Sequence, residues 1–181
     1  MQPALFLDRD GVIIENRENY VRTWSDVVFY PAALEALKRI SSHPIRIVII
    51  TNQSAIGRGI LTLEAAQQIN TQVCLEIEKA GGRIDGVYMC PHRPEEGCNC
   101  RKPGPGLLFQ AAADLSIDLN CSILIGDALS DIQAGRAAGV AQTALVLTGR
   151  GSQQLLLPKA SKLQPLLTFP NLASALNTLL P

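Results

Sequence analysis

Two carboxylates stand close together directly after the first apolar segment of the chain. Asp8 and Asp10 are two residues apart in the sequence FLDRDG, and Gly11 then permits a tight turn. Because extended backbone has a side-chain period of two, both carboxylates can face one site. Two like charges at this distance need a cation between them or a proton on one of them. With a magnesium ion beside it, one aspartate could attack a phosphorus atom while the other carries the proton of the leaving group.

Further polar groups follow later apolar segments in the same way. Thr51 begins the sequence TNQS, whose hydroxyl, amide and backbone N–H groups suit phosphate oxygens. Lys102, in CRKPGPG, supplies a point charge for a phosphate. Asp127 and Asp131, in GDALSD, can share a face if a helix begins between them. Each feature alone is more typical of a helix cap, a turn or an exposed lysine, so only their combination predicts a catalytic site.

A second group of residues has the composition of a metal site. Its members form the pattern C-x-H-x5-C-x-C and comprise Cys90, His92, Cys98 and Cys100. Three thiolates and one imidazole make a closed tetrahedral zinc set, which leaves no open position and therefore predicts a structural zinc. The zinc loop, residues 90–100, leads directly into Arg101 and Lys102, so the zinc is expected to position these two residues. The other cysteines, Cys74 and Cys121, are predicted to be small core residues.

Alternating strand and helix patterns must position these groups. Continuous apolar runs predict buried strands at 4–7, 45–50, 87–89, 122–125 and 144–147. Helical patterns lie at 32–40, 63–80, 106–115, 131–138 and 172–180, and residues 149–165 are predicted to form a loop. This alternation predicts a three-layer α/β fold, with a mostly parallel, Rossmann-like sheet and helices on both faces.

Length and composition fit one folded domain. The chain has 181 residues, of which 47% are hydrophobic, and its 16 basic and 16 acidic residues give zero net charge. This balance weighs against a nucleic-acid binder, and no apolar run approaches the ~20 residues that span a bilayer. The clustered cysteines and the lack of a signal-peptide pattern predict the cytoplasm. We predict one domain over 1–181, acting as a monomer, with no substantial cap because the segment 11–31 is short.

The ordered set of DRDG, TNQ, RKP and GD…D resembles the haloacid-dehalogenase-like phosphatase superfamily over nearly the whole chain. The resemblance implies that Asp8 is the nucleophile and Asp10 the general acid and base, while Thr51 holds the phosphoryl group. Lys102 would neutralise charge on Asp8 and on the phosphate. The implied ligands of a catalytic Mg²⁺ are the side chains of Asp8 and Asp127 and the carbonyl oxygen of Asp10. Asp131 would bind the ion through a water or orient Lys102.

Longer segments narrow this resemblance. DRDG, TNQSAIGRG and CPHRP…CNCRKP resemble the capless D-glycero-D-manno-heptose-1,7-bisphosphate 7-phosphatases of bacterial heptose and lipopolysaccharide synthesis. The resemblance implies a small phosphorylated sugar as substrate and no nucleic-acid or membrane partner. The predicted substrate contacts are Asn52, Gln53, Ser54 and Arg101, with Arg58 and Tyr20 as further candidates. Ala128 stands where this family often has Lys after the GD aspartate, which removes one possible charge contact.

Three other functions fit parts of the sequence. Histidinol-phosphate phosphatases share a similar zinc loop, and TNQSAIGRG also resembles polynucleotide 3′-phosphatases. Zero net charge and the zinc loop weigh against a polynucleotide substrate. A zinc-stabilised binding protein without catalytic activity belongs to a different class. The intact catalytic set, comprising Asp8, Asp10, Lys102 and Asp127, weighs against that function.

Overall fold

The computed structural model describes residues 1–180 and shows one six-stranded sheet. Its strands are β1 (Ala4–Leu7), β2 (Arg46–Asn52), β3 (Gly86–Cys90), β4 (Ile123–Gly126), β5 (Gln142–Val146) and β6 (Leu167–Phe169). All neighbouring strands are parallel, in the order β3-β2-β1-β4-β5-β6. The predicted parallel α/β sheet is therefore confirmed.

The α-helices connect and cover the strands. They are α1 (Pro31–Arg39), α2 (Ser54–Gly57), α3 (Leu63–Lys79), α4 (Gly106–Leu115), α5 (Leu129–Ala137), α6 (Gly151–Leu155), α7 (Pro158–Ser161) and α8 (Leu172–Leu179). Side-chain caps fix where two of them begin, since Thr62 accepts from the backbone N–H of Ala65 and Asn171 from that of Ser174. Within residues 1–180, no helix is long and apolar enough to cross a membrane.

Side chains along the strands alternate between two apolar cores. Leu5 and Leu7 of β1 belong to one core, which residues of α1, α3 and α8 complete, whereas Phe6 belongs to the other, with residues of α4 and α5. Both faces of the sheet are therefore covered by helices, as predicted. Because β1 lies between two covered faces, all of its residues are buried and its sequence is apolar without alternation.

The prediction of a loop over 149–165 is wrong. This segment contains the short helices α6 and α7, and β6 follows them at the edge of the sheet. Neither helix has enough turns for a strong periodic pattern, so tertiary contacts decide their structure. Pro158 begins α7, and the buried Ala160 packs in a cluster with Leu129, Ile132 and Leu145.

Cys121 is exposed, so its prediction as a core residue is wrong. Strand β4 begins at Ile123, and Cys121 lies before it in a 3-10 turn over Leu119–Cys121. The buried position belongs to Ser122, whose hydroxyl accepts from the backbone N–H of Ala4 at 2.9 Å and donates to the carbonyl oxygen of Asp118. Cys74, in α3, is half-buried.

Candidate active site

The carboxyl ends of the parallel strands open into one polar cleft. Asp8 follows β1, Thr51 lies near the end of β2, and Asp127 follows β4. The cleft has a volume of about 640 Å³. Among the residues that line it are Asp8, Asp10, Tyr20, Thr51, Asn52, Gln53, Ser54, Arg101, Lys102, Asp131 and Arg150. The fold thus brings most of the predicted site residues together where ligands of open parallel sheets bind.

Lys102 lies between two buried carboxylates. Its Nζ is 2.9 Å from Oδ1 of Asp8 and donates to the carbonyl oxygen of Ile50 at 2.8 Å. The same Nζ is 2.6 Å from Oδ1 of Asp131, as an ion pair more than a well-directed hydrogen bond. Burial alone would lower the pKa of Lys102, but the charges of Asp131 and Asp8 outweigh burial and raise it above its usual range. Lys102 is therefore a permanent cation beside Asp8.

Three carboxylates form an acidic cluster around this lysine. Oxygens of Asp8, Asp127 and Asp131 lie within 4.8 Å of one another, and all three residues are buried. Burial, together with the charge of Asp8, raises the pKa of Asp127 to about 7 in the metal-free site. Oxygen ligands with excess negative charge suit a hard divalent cation such as Mg²⁺. The donor set of the acidic cluster therefore fits the predicted magnesium ion.

Two glycines allow the acidic cluster to be so compact. Gly11 has a φ of +87°, and a Cβ there would collide with the carboxylate of Asp127. A Cβ on Gly126 would likewise collide with the carboxylate of Asp131. The glycines of DRDG and GDALSD are thus required by the close approach of the strand-end loops.

The carboxylate of Asp10 is held outside the acidic cluster. Arg9 donates from Nε to Oδ2 of Asp10 at 3.1 Å and from Nη2 to Oδ1 at 3.2 Å. Gln53 donates from Nε2 to the same Oδ2 at 3.0 Å and to Oγ1 of Thr51 at 2.8 Å. Asp10 keeps 17% of its side chain exposed, in the cleft. A carboxylate in this position is available for proton transfer.

The predicted substrate contacts differ in what they touch. Asn52 holds the backbone of Lys102, because its Nδ2 donates to the carbonyl oxygen and its Oδ1 accepts from the N–H, both at 3.1 Å. Tyr20 lines the cleft with a left-handed φ of 64°. Arg58 is not among the residues that line the cleft, and its guanidinium is 3.9 Å from Glu95 of the zinc loop.

The zinc loop brings its four predicted ligands together. Cys100 Sγ lies 3.2 Å from Cys90 Sγ, 3.3 Å from Cys98 Sγ and 3.2 Å from His92 Nδ1. A tetrahedral zinc with bonds of about 2.3 Å to sulfur separates its thiolates by about 3.8 Å, so a small expansion would admit the ion. Arg101 donates from Nη1 to the carbonyl oxygen of His92 at 3.1 Å. The loop thus contacts the cleft directly through Arg101.

The roles of three polar residues in the site do not follow from the sequence motifs, although one of them, Arg9, is part of DRDG. Arg9 and Asn70 lie behind Asp10, where Arg9 Nη1 donates to Asn70 Oδ1 at 2.6 Å. Arg150 donates its backbone N–H to Oδ2 of Asp127 at 2.8 Å, and its guanidinium is 3.4 Å from both carboxylate oxygens. Asn70 could have been noticed in the sequence, because it is a polar residue at a position of α3 where the helical pattern places apolar residues. Arg150 has none, because it belongs to the segment 149–165.

Comparisons with known proteins identify the family of this chain. The model of the HAD-hydrolase-like family matches residues 99–175. A D-glycero-β-D-manno-heptose-1,7-bisphosphate 7-phosphatase from Pseudomonas aeruginosa is 35% identical over 176 residues, which cover 97% of each chain. The enzyme of that name from Photorhabdus laumondii is 39% identical over 155 residues, or 82% of each chain.

A solved structure also resembles the chain. The D,D-heptose 1,7-bisphosphate phosphatase from B. bronchiseptica, crystallised with magnesium and phosphate, superposes with a TM-score of 0.88 at 32% identity. The superposition covers 98% of both chains. The superfamily predicted from DRDG, TNQ, RKP and GD…D is thereby confirmed. The chain belongs to the D-glycero-β-D-manno-heptose-1,7-bisphosphate 7-phosphatase family of haloacid-dehalogenase-like phosphatases.

Proposed function

We propose that this phosphatase removes the 7-phosphate of D-glycero-D-manno-heptose 1,7-bisphosphate through an aspartyl-phosphate formed on Asp8. The observation that carries the proposal is the buried pair of Asp8 and Lys102, 2.9 Å apart at the carboxyl end of β1. A carboxylate there can attack phosphorus while the lysine offsets the negative charge of the phosphate. The activity named for the relatives from P. aeruginosa and P. laumondii supplies the substrate.

The reaction has two displacement steps. In the first, an oxygen of Asp8 bonds to phosphorus as the bond between phosphorus and the C7 oxygen breaks, and Asp10 protonates that leaving oxygen. In the second, Asp10 takes a proton from water, whose oxygen bonds to phosphorus and releases Asp8 and inorganic phosphate. Thr51 would hold the phosphoryl group, since its hydroxyl accepts from Gln53 and keeps its own proton free to donate.

The acidic cluster supports Mg²⁺ as the cofactor of both steps. The proposed ligands are the side chains of Asp8 and Asp127 and the carbonyl oxygen of Asp10. When bound, Mg²⁺ would neutralise charge on the phosphate and on Asp8. The 2.6 Å pairing of Asp131 with Lys102 supports a role of Asp131 in orienting the lysine, and a contact with the metal through water is compatible with it.

The zinc loop supports a separate, structural metal. The proposed zinc ligands are Cys90, His92, Cys98 and Cys100, which fill a tetrahedral site completely. Because Arg101 donates to the carbonyl oxygen of His92, an ordered loop fixes the start of the segment that carries Lys102. Thiolate ligands of this kind persist in the cytoplasm, where we propose that the enzyme acts as a monomer with one capless domain over 1–181.

A bisphosphate brings a second dianion that must be held away from the reacting phosphate. Arg101 and Arg150 line the cleft together with Lys102, and a planar guanidinium suits a phosphate group. Arg150 contacts Asp127 beside Ala128, so it supplies positive charge where the family often has Lys. The other proposed substrate contacts are Asn52, Gln53, Ser54 and Tyr20, which line the cleft, whereas Arg58 lies outside it and would act only through its charge.

The proposal is tested by the specificity of the purified enzyme with Mg²⁺. We expect kcat/KM for the heptose bisphosphate to exceed that for histidinol phosphate and for a 3′-phosphorylated oligonucleotide, with release of the 7-phosphate. Acid quenching of a single turnover with ³²P-labelled substrate should trap label on the protein, and Asp8→Asn should abolish the label. Higher kcat/KM for histidinol phosphate would contradict the substrate, whereas unlabelled wild type would contradict the covalent step.

A further inference from the structure

Arg9, between the two aspartates of DRDG, has the largest fully buried side chain among residues 1–180, with 1% of its surface exposed. Arginine is among the residue types least often buried, because a buried charge destabilises the fold unless it is paired and hydrogen-bonded. Each nitrogen of this guanidinium has a partner: Nε and Nη2 contact Asp10, and Nη1 contacts Asn70. A buried cation next to a reacting group therefore requires an explanation.

The contacts define the orientation of the Asp10 carboxylate. Nη2 of Arg9 is 3.0 Å from Oδ2 of Asp10 and 3.2 Å from Oδ1, while Nε is 3.1 Å from Oδ2. A guanidinium fork of this kind restricts a carboxylate more strongly than one hydrogen bond does. Gln53 occupies a further lone pair of Oδ2 at 3.0 Å. Oδ1 accepts only from Arg9 Nη2, so it keeps a lone pair with which a leaving oxygen or a water can bind.

Asn70 fixes the arginine in turn. It lies in α3, where the buried residues are otherwise apolar, and only 7% of Asn70 is exposed. Its Oδ1 accepts from Arg9 Nη1 at 2.6 Å, and its Nδ2 lies 3.6 Å from Met89 Sδ on β3. An amide at this position satisfies the one arginine nitrogen that does not reach Asp10. Helix α3 thereby determines where the guanidinium lies.

We propose that Arg9 and Asn70 are positioning residues for proton transfer by Asp10. Arg9 aligns the carboxylate so that Oδ1 faces the leaving oxygen and then the attacking water, and Asn70 holds Arg9 in that orientation. The inference rests on the proposed role of Asp10 as general acid and base. Arg9 and Asn70 would then act on the reaction only through Asp10, without contacting the substrate or the metal themselves.

The test compares esters with good and poor leaving groups. An alkyl phosphate needs a proton on its leaving oxygen, whereas p-nitrophenyl phosphate needs it far less. We expect Arg9→Lys and Asn70→Leu to lower kcat/KM for a sugar phosphate by ~10–10²-fold and for p-nitrophenyl phosphate by less than about threefold. Asn70→Asp retains the acceptor oxygen and should restore most of the sugar-phosphate activity. Ser122→Ala, which removes a buried hydroxyl at the opposite end of the sheet, should lower both rates equally, if at all.

Asp10→Asn separates the two possible failures. If Asp10→Asn discriminates between the esters but Arg9→Lys and Asn70→Leu lower both rates by one factor, the pair is merely structural and this inference is overturned. If Asp10→Asn itself does not discriminate, the proposed proton transfer fails and the inference fails with it. Should Arg9→Lys not fold, Asn70→Leu and Asn70→Asp decide the question on their own, because both variants keep the side chains of Arg9 and Asp10.

Discussion

The acidic cluster and the zinc loop both suit a metal, but they are built in different ways. Asp8 and Asp127 are brought together by the pairing of β1 with β4, so the packed sheet positions the carboxylates without a metal. The cysteine ligands lie within eleven residues, Cys90 to Cys100, on a loop with few buried apolar side chains. The acidic cluster is thus a product of the fold, whereas we predict that the zinc loop depends on a bound metal for its order.

This contrast predicts separable responses to mutation. Damage to the acidic cluster should abolish chemistry and leave the fold intact, because the packed sheet and buried neighbours such as Lys102 remain in place. Damage to the loop should reduce stability first and activity second. Four predictions examine this difference, beginning with the one that has the largest effect.

Asp8→Asn should lower kcat by at least ~10⁴-fold, because an amide oxygen cannot form the phosphoenzyme. The thermal midpoint should change little, since the loss of the buried pair with Lys102 is offset by relief of the repulsion between Asp8 and Asp127, and Lys102 keeps its pair with Asp131. Steady-state kinetics and calorimetry of the metal-free protein provide the two measurements. Glu64→Gln, which neutralises an exposed carboxylate on α3, is the matched control and should change neither. Near-wild-type turnover by Asp8→Asn would contradict the covalent mechanism.

Cys98→Ser should remove stoichiometric zinc and with it the contribution of the metal to the free energy of unfolding. A loss of roughly 2–3 kcal/mol would lower the thermal midpoint by about 5–10 °C, because each kcal/mol shifts it by about 2–4 °C in a chain of this size. Activity should fall by roughly tenfold, because Arg101 and Lys102 lose their fixed support. Elemental analysis, a melting curve and kinetics test these effects. Cys121→Ser changes an exposed thiol outside the loop and should have no effect. Zinc retained at full occupancy in Cys98→Ser would show that this thiolate is not a ligand.

The clustering of polar side chains in both regions could be predicted from short motifs, because residue type and spacing are local properties. The bounds of β1 and α4 were also predictable, since a strand buried on both faces needs a continuous apolar run and a helix imposes a period on the sequence. The contact of Arg9 with Asn70 was not, because the residues are 61 positions apart and polar pairing has no period. A polar residue within the buried stripe of α3 was nevertheless a detectable signal that something charged lies opposite.

Arg150 shows a different limit of sequence reasoning. Its segment was predicted to be a loop, and only the packing of α6 and α7 brings its backbone N–H to Asp127. A Cβ on Gly149 would collide with the carboxylate of Asp127, which explains how closely the segment approaches the acidic cluster. Short helices fixed by tertiary contacts leave too few turns for a pattern, so their site residues appear only in the structure.

Magnesium binding should strengthen as pH rises through 7. Burial raises the pKa of Asp127 to about 7, and the metal binds only the deprotonated carboxylate, so apparent affinity should be about 10-fold weaker at pH 6 than at pH 8. The metal-free protein should behave oppositely. The folded state retains the Asp127 proton that the unfolded state loses near pH 4. The free energy of unfolding of the metal-free protein therefore falls as pH rises from about 4 to 7. Magnesium titrations at pH 6, 7 and 8 test the first trend, and melting temperatures of the metal-free protein between pH 4 and 7 test the second. Asp127→Asn should weaken the second trend without abolishing it, because burial also raises the pKa of Asp131.

The smallest predicted effect concerns the two arginines of the cleft. One of them contacts the zinc loop and the other the acidic cluster, so their substitutions compare the two regions directly. Arg101 is held by the loop and Arg150 by Asp127, so both present a guanidinium to the same cleft from opposite regions. Arg150→Ala should raise KM for the bisphosphate by roughly three- to tenfold, with a smaller effect on a sugar monophosphate, because only the bisphosphate carries the second dianion. Arg101→Ala should raise KM for the bisphosphate to a similar extent if both arginines bind its second phosphate.

Arg136→Ala, which removes an exposed arginine that contacts the carbonyl oxygen of Pro165 outside the cleft, is the matched control. An equal KM increase for both substrates in Arg150→Ala would show that this arginine contacts the reacting phosphate or supports Asp127, and Arg101 alone would then remain to bind the second phosphate.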